Sequence, residues 1–197
     1  MATVTRPGGG AQSYLEGGAV FAGSAIALAL AIVLWQFGTA IGLSVGEPVL
    51  DDGSASWNVV VAGLWAVWVS LVSAAAGGYI AGRMRSRWGD ATAHEVEIRD
   101  GIHGLVVGAV ATVIAVALIA ALSAVAADSA AAPAGQGVSP DVVRIARTVS
   151  VIFAFATSAG AALGAAAAWW AATVGGAHRD ENIALDATLP RIFRRRV

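Results

Sequence analysis

Residues 94–103 read HEVEIRDGIH and hold the densest set of side chains able to do chemistry. His94, Glu97 and His103 are the candidate metal ligands, and the same three are the candidate acid–base groups of an enzyme acting on a lipid at the membrane surface. On a helix, Asp100 and His103 share a face, as do Arg99 and His103, and His94 stands three residues from Glu97. A metal site, however, needs ligands converging from several sides, and the HExxH spacing is absent. The preferred reading is a capped, charged helix end with no metal and no catalytic residue. His103 is the only ionisable group within an apolar segment, about one turn deep. It can sense pH, but alone it cannot carry protons across a membrane.

Two further polar groupings sit inside apolar sequence. Trp35, Gln36, Trp65 and Trp68 could wall a pocket for a lipid, quinone or pigment. The alternative, which we prefer, is packing, with the indole N–H groups bonded to Gln36 or to backbone, since polar groups in membranes usually hold helices together. No cofactor is expected. Ser70, Ser73, Thr112, Thr157 and Ser158 are candidates to line a pore, because hydroxyls and carbonyls can conduct without charge. No phosphate-binding loop, dinucleotide fingerprint or nucleophile elbow occurs. There is no Cys and no Lys, which excludes thiol, Schiff-base and amine-nucleophile chemistry.

The elements that must position these residues are apolar. Stretches 17–46, 53–82, 101–127 and 148–177 contain no Asp, Glu, Lys or Arg, although the chain carries 12 basic and 13 acidic residues. A hydrocarbon core about 30 Å thick needs roughly 20 apolar helical residues, and each stretch is long enough. The composition, 57% hydrophobic and 13% charged, agrees. The first stretch runs to about twice the usual apolar length of a signal peptide, so it is expected to remain as a helix. The expected fold is an all-α membrane protein with four transmembrane helices at about 17–45, 55–83, 92–127 and 140–177. A flexible arm (1–15) would precede the 16–179 transmembrane domain, and an Arg-rich tail (180–197) would follow it.

Orientation follows from arginine. Ten of the twelve lie in the N-terminal arm, the 83–100 loop and the tail; only Arg144 and Arg147 lie on the other side. The positive-inside rule makes the ten-Arg side, with both termini, cytoplasmic. Arg194, Arg195 and Arg196 are expected to meet anionic lipid headgroups; so short a tail does not suggest nucleic acid. Thr92 and Glu95 fit a capping box, Glu95 precedes Arg99 by four, and Ser139, Pro140 and Asp141 fit the start of helix 4.

Helices associate in lipid through close backbone approach, which small residues permit. Each helix carries a GxxxG: Gly38 and Gly42, Gly78 and Gly82, Gly104 and Gly108, Gly160 and Gly164. With 24 Gly in the chain, roughly three such pairs arise by chance. Helix 4 adds an unbroken stripe of small residues, Ala156, Gly160, Gly164, Ala168, Ala172 and Gly176, which could pack within the chain or between copies. Gly78/Gly82 and Gly104/Gly108 flank one loop, so helices 2 and 3 are expected to approach each other directly there. Glu16-Gly17 resembles Asp100-Gly101, and AGGYIAGR (76–83) resembles VGGAHR (174–179); two parallel two-helix repeats are therefore an open alternative.

Taken together, GGYIAGR at 77–83, the pattern HExExRDGxHG from His94 to Gly104 and IGLS at 41–44 resemble a family of four-helix inner-membrane proteins of proteobacteria, some labelled PhnA-like. The resemblance covers roughly residues 15–180. It implies a four-helix fold in a bacterial inner membrane and brings no established activity. The leading functional expectation is a non-enzymatic subunit, packing through its small-residue faces as a homo-oligomer or within a larger membrane complex. The alternatives are an oligomeric channel or carrier for a small solute, and the lipid-acting enzyme.

Overall fold

The computed structural model describes the backbone of residues 14–41, 49–50, 52, 54–86, 92–129 and 139–184, and the side chains of all of these except 122–129. The chain folds as four helices, α1 Gly17–Ala40, α2 Trp57–Met84, α3 Ala93–Ser129 and α4 Pro140–Asp180. All four are long and apolar enough to cross a membrane, so the protein is an all-α membrane bundle. Among the described residues the only β pairing is an isolated bridge between Val49 and Ala55. At about 1.5 Å per residue, the 41 residues of α4 extend roughly 61 Å, twice the hydrocarbon thickness. Helix α4 is therefore longer than a bilayer crossing requires. For α1, the expected extension through 42–45 lies outside the described residues.

Local chemistry sets the helix starts. Ser139 Oγ accepts the Val142 N–H at 3.3 Å, with Pro140 opening α4. Thr92 Oγ1 likewise accepts the Glu95 N–H at 3.2 Å. The reciprocal arm of the expected capping box takes a different partner, because Glu95 Oε1 accepts the Tyr14 hydroxyl at 3.0 Å. In the α1–α2 connection, Asp52 Oδ1 accepts both the N–H and the hydroxyl of Ser54, at 2.8 and 2.6 Å. The Ser54 side-chain and backbone bonds hold the Asp52 carboxyl below its usual range.

Around the bundle the order is α1, α2, α4, α3, with α2 also touching α3 across the middle. The longest seam joins α2 and α4, which run parallel. Gly63 faces Ala156 and Ile152, Gly160 and Gly164 face Ser70, Gly78 faces the Ala168 carbonyl and Gly82 the Ala172 carbonyl. A Cβ on Gly78 or Gly82 would overlap those carbonyl oxygens. The small-residue stripe of α4 is buried in this seam, within the chain. The two hairpins thus point the same way, as parallel repeats would. The α2–α3 contact nevertheless has no equal between α4 and α1, so the arrangement departs from two-fold symmetry.

Helices α2 and α3 do approach each other there, Gly77 facing Val107, but Gly78 and Gly108 themselves meet α4 in a three-helix junction. Gly78 from α2 and Gly104 from α3 both press on the backbone of Ala168, and a Cβ on Gly108 would lie 3.5 Å from the Ala165 Cα. Helix α4 takes the place that each glycine face was expected to offer the other, since its run of Ala and Gly lets two backbones approach at once. On the other side of the bundle, Gly23 packs on Gly77, where a Cβ would lie 2.5 Å from the Gly77 oxygen, and Gly38 is covered by the Trp65 indole. Gly42 lies outside the described residues.

These contacts separate glycines by consequence. Gly82→Ala should destabilise the bundle by about 1–3 kcal/mol, the usual penalty of overpacking, because the obstruction is backbone. Gly108→Ala meets only ordinary contacts, the nearest at 3.5 Å, and should be close to neutral. Unfolding titrations of both variants in mixed micelles would measure the difference.

Candidate functional site

At the end of the bundle where α1 and α3 begin and α2 and α4 finish, a polar network binds all four helices. Its centre is Asp100, two turns into α3 and fully buried. Arg85, the residue that closes α2, leaves helical geometry at φ −69° and ψ 141°. Its Nε donates to Asp100 Oδ1 at 2.5 Å and its Nη2 to the Val96 carbonyl at 3.3 Å. Arg179, in the last turn of α4, reaches both carboxylate oxygens at 3.2 and 3.3 Å. It also donates to the carbonyls of Gly82 and Arg85 at 2.8 and 3.0 Å, which would otherwise end α2 without partners. Asp180 takes the Arg179 Nε at 2.9 Å, so two guanidinium groups face two carboxylates. Gly176 makes room for the arrangement: a Cβ there would overlap Asp100 Oδ2.

A second set of bonds ties α1 into the same end. The Glu16 carboxylate accepts the Ser86 N–H at 3.0 Å and its hydroxyl at 3.1 Å. The Glu16 N–H donates to His103 Nε2 at 2.9 Å, and His103 Nδ1 donates to the Arg99 carbonyl at 2.7 Å. Only the neutral imidazole protonated on Nδ1 satisfies both partners. Arg99 lies over the Tyr14 ring, 4.7 Å from its centroid, and donates to the Tyr14 carbonyl at 3.0 Å. On the far side of α2, Tyr79 and His178 share a hydrogen bond of 3.1 Å, and Arg83 donates to the Ile183 carbonyl.

The α3 start is capped by Thr92 and carries exposed His94 and Glu97, and this buried network lies behind it. The candidate trio is not assembled, because His94 and Glu97 are exposed whereas His103 is buried and uses both nitrogens. Among the described residues no three His, Cys, Asp or Glu side chains group together as metal ligands would. Arg85, Arg179 and Gly176 were missed as partners of Asp100, and Glu16 as a partner of Ser86 and His103. The available signal was their shared position at the ends of apolar segments, where a buried carboxylate meets guanidinium groups from neighbouring helices.

The second feature lies deeper. A cavity of about 300 Å³ opens between the four helices, and among the described residues none that line it is ionisable. Thr112 is 12 residues beyond Asp100 on α3, which places the cavity roughly 18 Å from the network along the axis. Ser70, Ser73, Thr112, Thr157 and Ser158, the five hydroxyls expected to suit a pore, all line it, as does Trp35. Three of them donate to the carbonyl four residues back: Ser70 to Ala66 at 2.9 Å, Thr112 to Gly108 at 2.8 Å and Thr157 to Phe153 at 2.8 Å. Ser73 is 3% exposed and its hydroxyl has no hydrogen-bond partner. An unsatisfied buried hydroxyl costs about 1–3 kcal/mol.

The four residues weighed as a possible aromatic pocket divide, and Trp65 packs as preferred, its indole bonded to backbone. Trp35 alone borders the cavity. Trp65 stacks on Trp68 with centroids 4.9 Å apart and donates its indole N–H to the Leu34 carbonyl at 3.2 Å. Gln36 is exposed on the outer face of α1. Arg194, Arg195 and Arg196 lie outside the described residues.

Removing the central carboxylate leaves two guanidinium groups facing each other in a buried site. Asp100→Asn should therefore cost about 3–5 kcal/mol, read as an earlier unfolding midpoint, while Glu97→Gln on the exposed face should change nothing measurable. No family model, curated protein or solved structure matches the chain.

Proposed function

We propose that the chain is a non-enzymatic integral membrane protein that holds or carries a small uncharged solute within its own four-helix bundle. The observation that carries this reading is the cavity of about 300 Å³, which receives hydroxyls from α2, α3 and α4. Ligand sites are commonly about 300–1,000 Å³, mostly apolar, with a few placed polar groups. Its position in the middle of the spans, away from the sealed polar end, suits entry from the opposite face. The absence of charge in the wall argues against proton or ion coupling inside the bundle.

Self-association through small-residue faces has less support. Gly38, Gly78, Gly82, Gly104, Gly108, Gly160 and Gly164 all pack within the chain. Membrane lipids are the remaining partners, with Arg194, Arg195 and Arg196 suited to anionic headgroups. A bacterial inner membrane with both termini in the cytoplasm is the placement favoured by ten Arg on the terminal side.

Two measurements test this reading. Proteoliposomes should swell in a panel of small polyols and monoalcohols faster than empty liposomes, and Ala161→Phe, which fills the cavity, should remove the difference. Liposomes equally impermeable to the whole panel with and without the protein would overturn the transport reading. For orientation, the Cys-free chain permits clean labelling. A membrane-impermeant maleimide should modify Ser54→Cys in intact cells and leave Thr92→Cys unmodified until the cells are opened.

A further inference from the structure

The start of α1 is held in place by its neighbours. Glu16 stands at the N-cap but its side chain does not cap the helix, so the placement of residues 14–16 rests on tertiary bonds. The Glu16 N–H donates to His103 Nε2, the Glu16 carboxylate accepts from Ser86, the Tyr14 hydroxyl donates to Glu95, and Arg99 donates to the Tyr14 carbonyl. Gly17 and Gly18 follow, and an added Cβ at either would meet nothing within 4 Å. Ala19, next along, is already buried. Residues 14–16 can therefore swing about the glycine pair without disturbing the packing of α1.

Of the groups in these bonds, imidazole is the one whose ordinary titration range lies near neutrality. His103 is fully buried and its Nδ1 donates to the Arg99 carbonyl, so a second proton can go only to Nε2. There it would face the Glu16 N–H, donor against donor. Around the ring stand Arg85 at the end of α2, Asp100 on α3 and Glu16 ahead of α1, with Arg99 one turn away on α3. Among the described residues, α4 reaches this group through Arg179, on Asp100. Asp100 is bonded to Arg85 and Arg179, and Glu16 to Ser86. If the Glu16 carboxylate turned to receive the new Nε2–H, it would give up Ser86. Either way, a bond that holds residues 14–16 is lost.

We propose that His103 is a proton-operated latch on the start of α1. Residues 14–16 are docked while the imidazole is neutral and are released, swinging at Gly17 and Gly18, when Nε2 takes a proton from the aqueous phase. A docked state that accepts only the neutral ring gives way, as pH falls, to a released state that accepts both forms. For one group the shift is at most about tenfold per pH unit. The latch stands apart from the cavity and does not depend on what the cavity holds.

The test is a distance measurement on the full-length chain, which has no native Cys. Spin labels are placed at Leu15→Cys and Glu181→Cys, two exposed positions, in nanodiscs between about pH 8 and about pH 5. One narrow distance is expected at the alkaline end, with a second, broader population that grows reversibly toward the acid end. His103→Gln, which cannot take the proton, should give a distribution that does not change with pH. In parallel, 15N-histidine NMR of the unsubstituted protein follows its three imidazoles. His103 should begin as the neutral Nδ1–H tautomer and become protonated with the same midpoint as the distance change. That comparison decides the case should His103→Gln fail to fold. A distribution constant across the pH range, a pH response that survives His103→Gln, or an imidazole that stays neutral while the segment moves overturns the latch.

Discussion

The bundle depends on one backbone contact, the meeting of Gly78 and Gly104 on the main chain of Ala168. In lipid, burying apolar side chains gives helices no reason to associate, because the tails are equally apolar. Dispersion between closely apposed backbones must supply the attraction, and three helices can share a point only where none carries a bulky side chain. Once α4 is wedged between α2 and α3 at Ala168, its next turns carry Gly176 beside the Asp100 carboxylate and Arg179 over the carbonyls that end α2. The polar network is thus positioned by glycine packing, and it then fixes the rotation of each helix about its axis through directional bonds.

Tight closure at one end has a geometric complement at the other. Helices held in backbone contact near Gly82, Gly104 and Ala172 diverge further along, leaving a space that Leu28 lines and that opens outward past the exposed Trp35, Val116 and Ile119. The hydroxyls of Ser70, Thr112 and Thr157 line that space while remaining bonded to their own helices, a low-cost way to place polarity in a membrane. One end of the molecule is joined by the Asp100 network, whereas the middle is apolar and keeps a buried, unsatisfied hydroxyl at Ser73.

Much of this architecture was legible in the sequence because it is written in local patterns. The spans follow from uncharged runs, and the α4 start from Ser139-Pro140-Asp141. The five hydroxyls could be singled out because Ser and Thr can bond within their own helix and so sit in those runs at little cost. Their convergence on one cavity could not, since it depends on the rotation of four helices. The Asp100 network was hidden for a related reason. Arg85 reads as a loop residue and Arg179 as part of a basic tail, and nothing local links either to a carboxylate on α3. Gly78 and Gly108 show a finer limit: adjacency in sequence suggested that α2 and α3 approach, and Gly77 does meet Val107, but the two glycines themselves face α4 at Ala168 and Ala165.

The parallel course of α2 and α4 carries an electrostatic consequence. Two helices side by side in the same direction bring two negative dipole ends together, here at Met84 and Asp180. Arg85 and Arg179 stand at those ends, and Asp100 lies between the two guanidinium groups. The same arginines that weigh in the topological charge count also offset the repulsion between parallel helix ends. The ion pair is therefore directional: exchanging Arg85 with Asp100 would preserve the attraction between the two side chains and set a carboxylate against the negative end of α2. Sign and position are coupled, so the bundle has one electrically consistent way to stack its two hairpins.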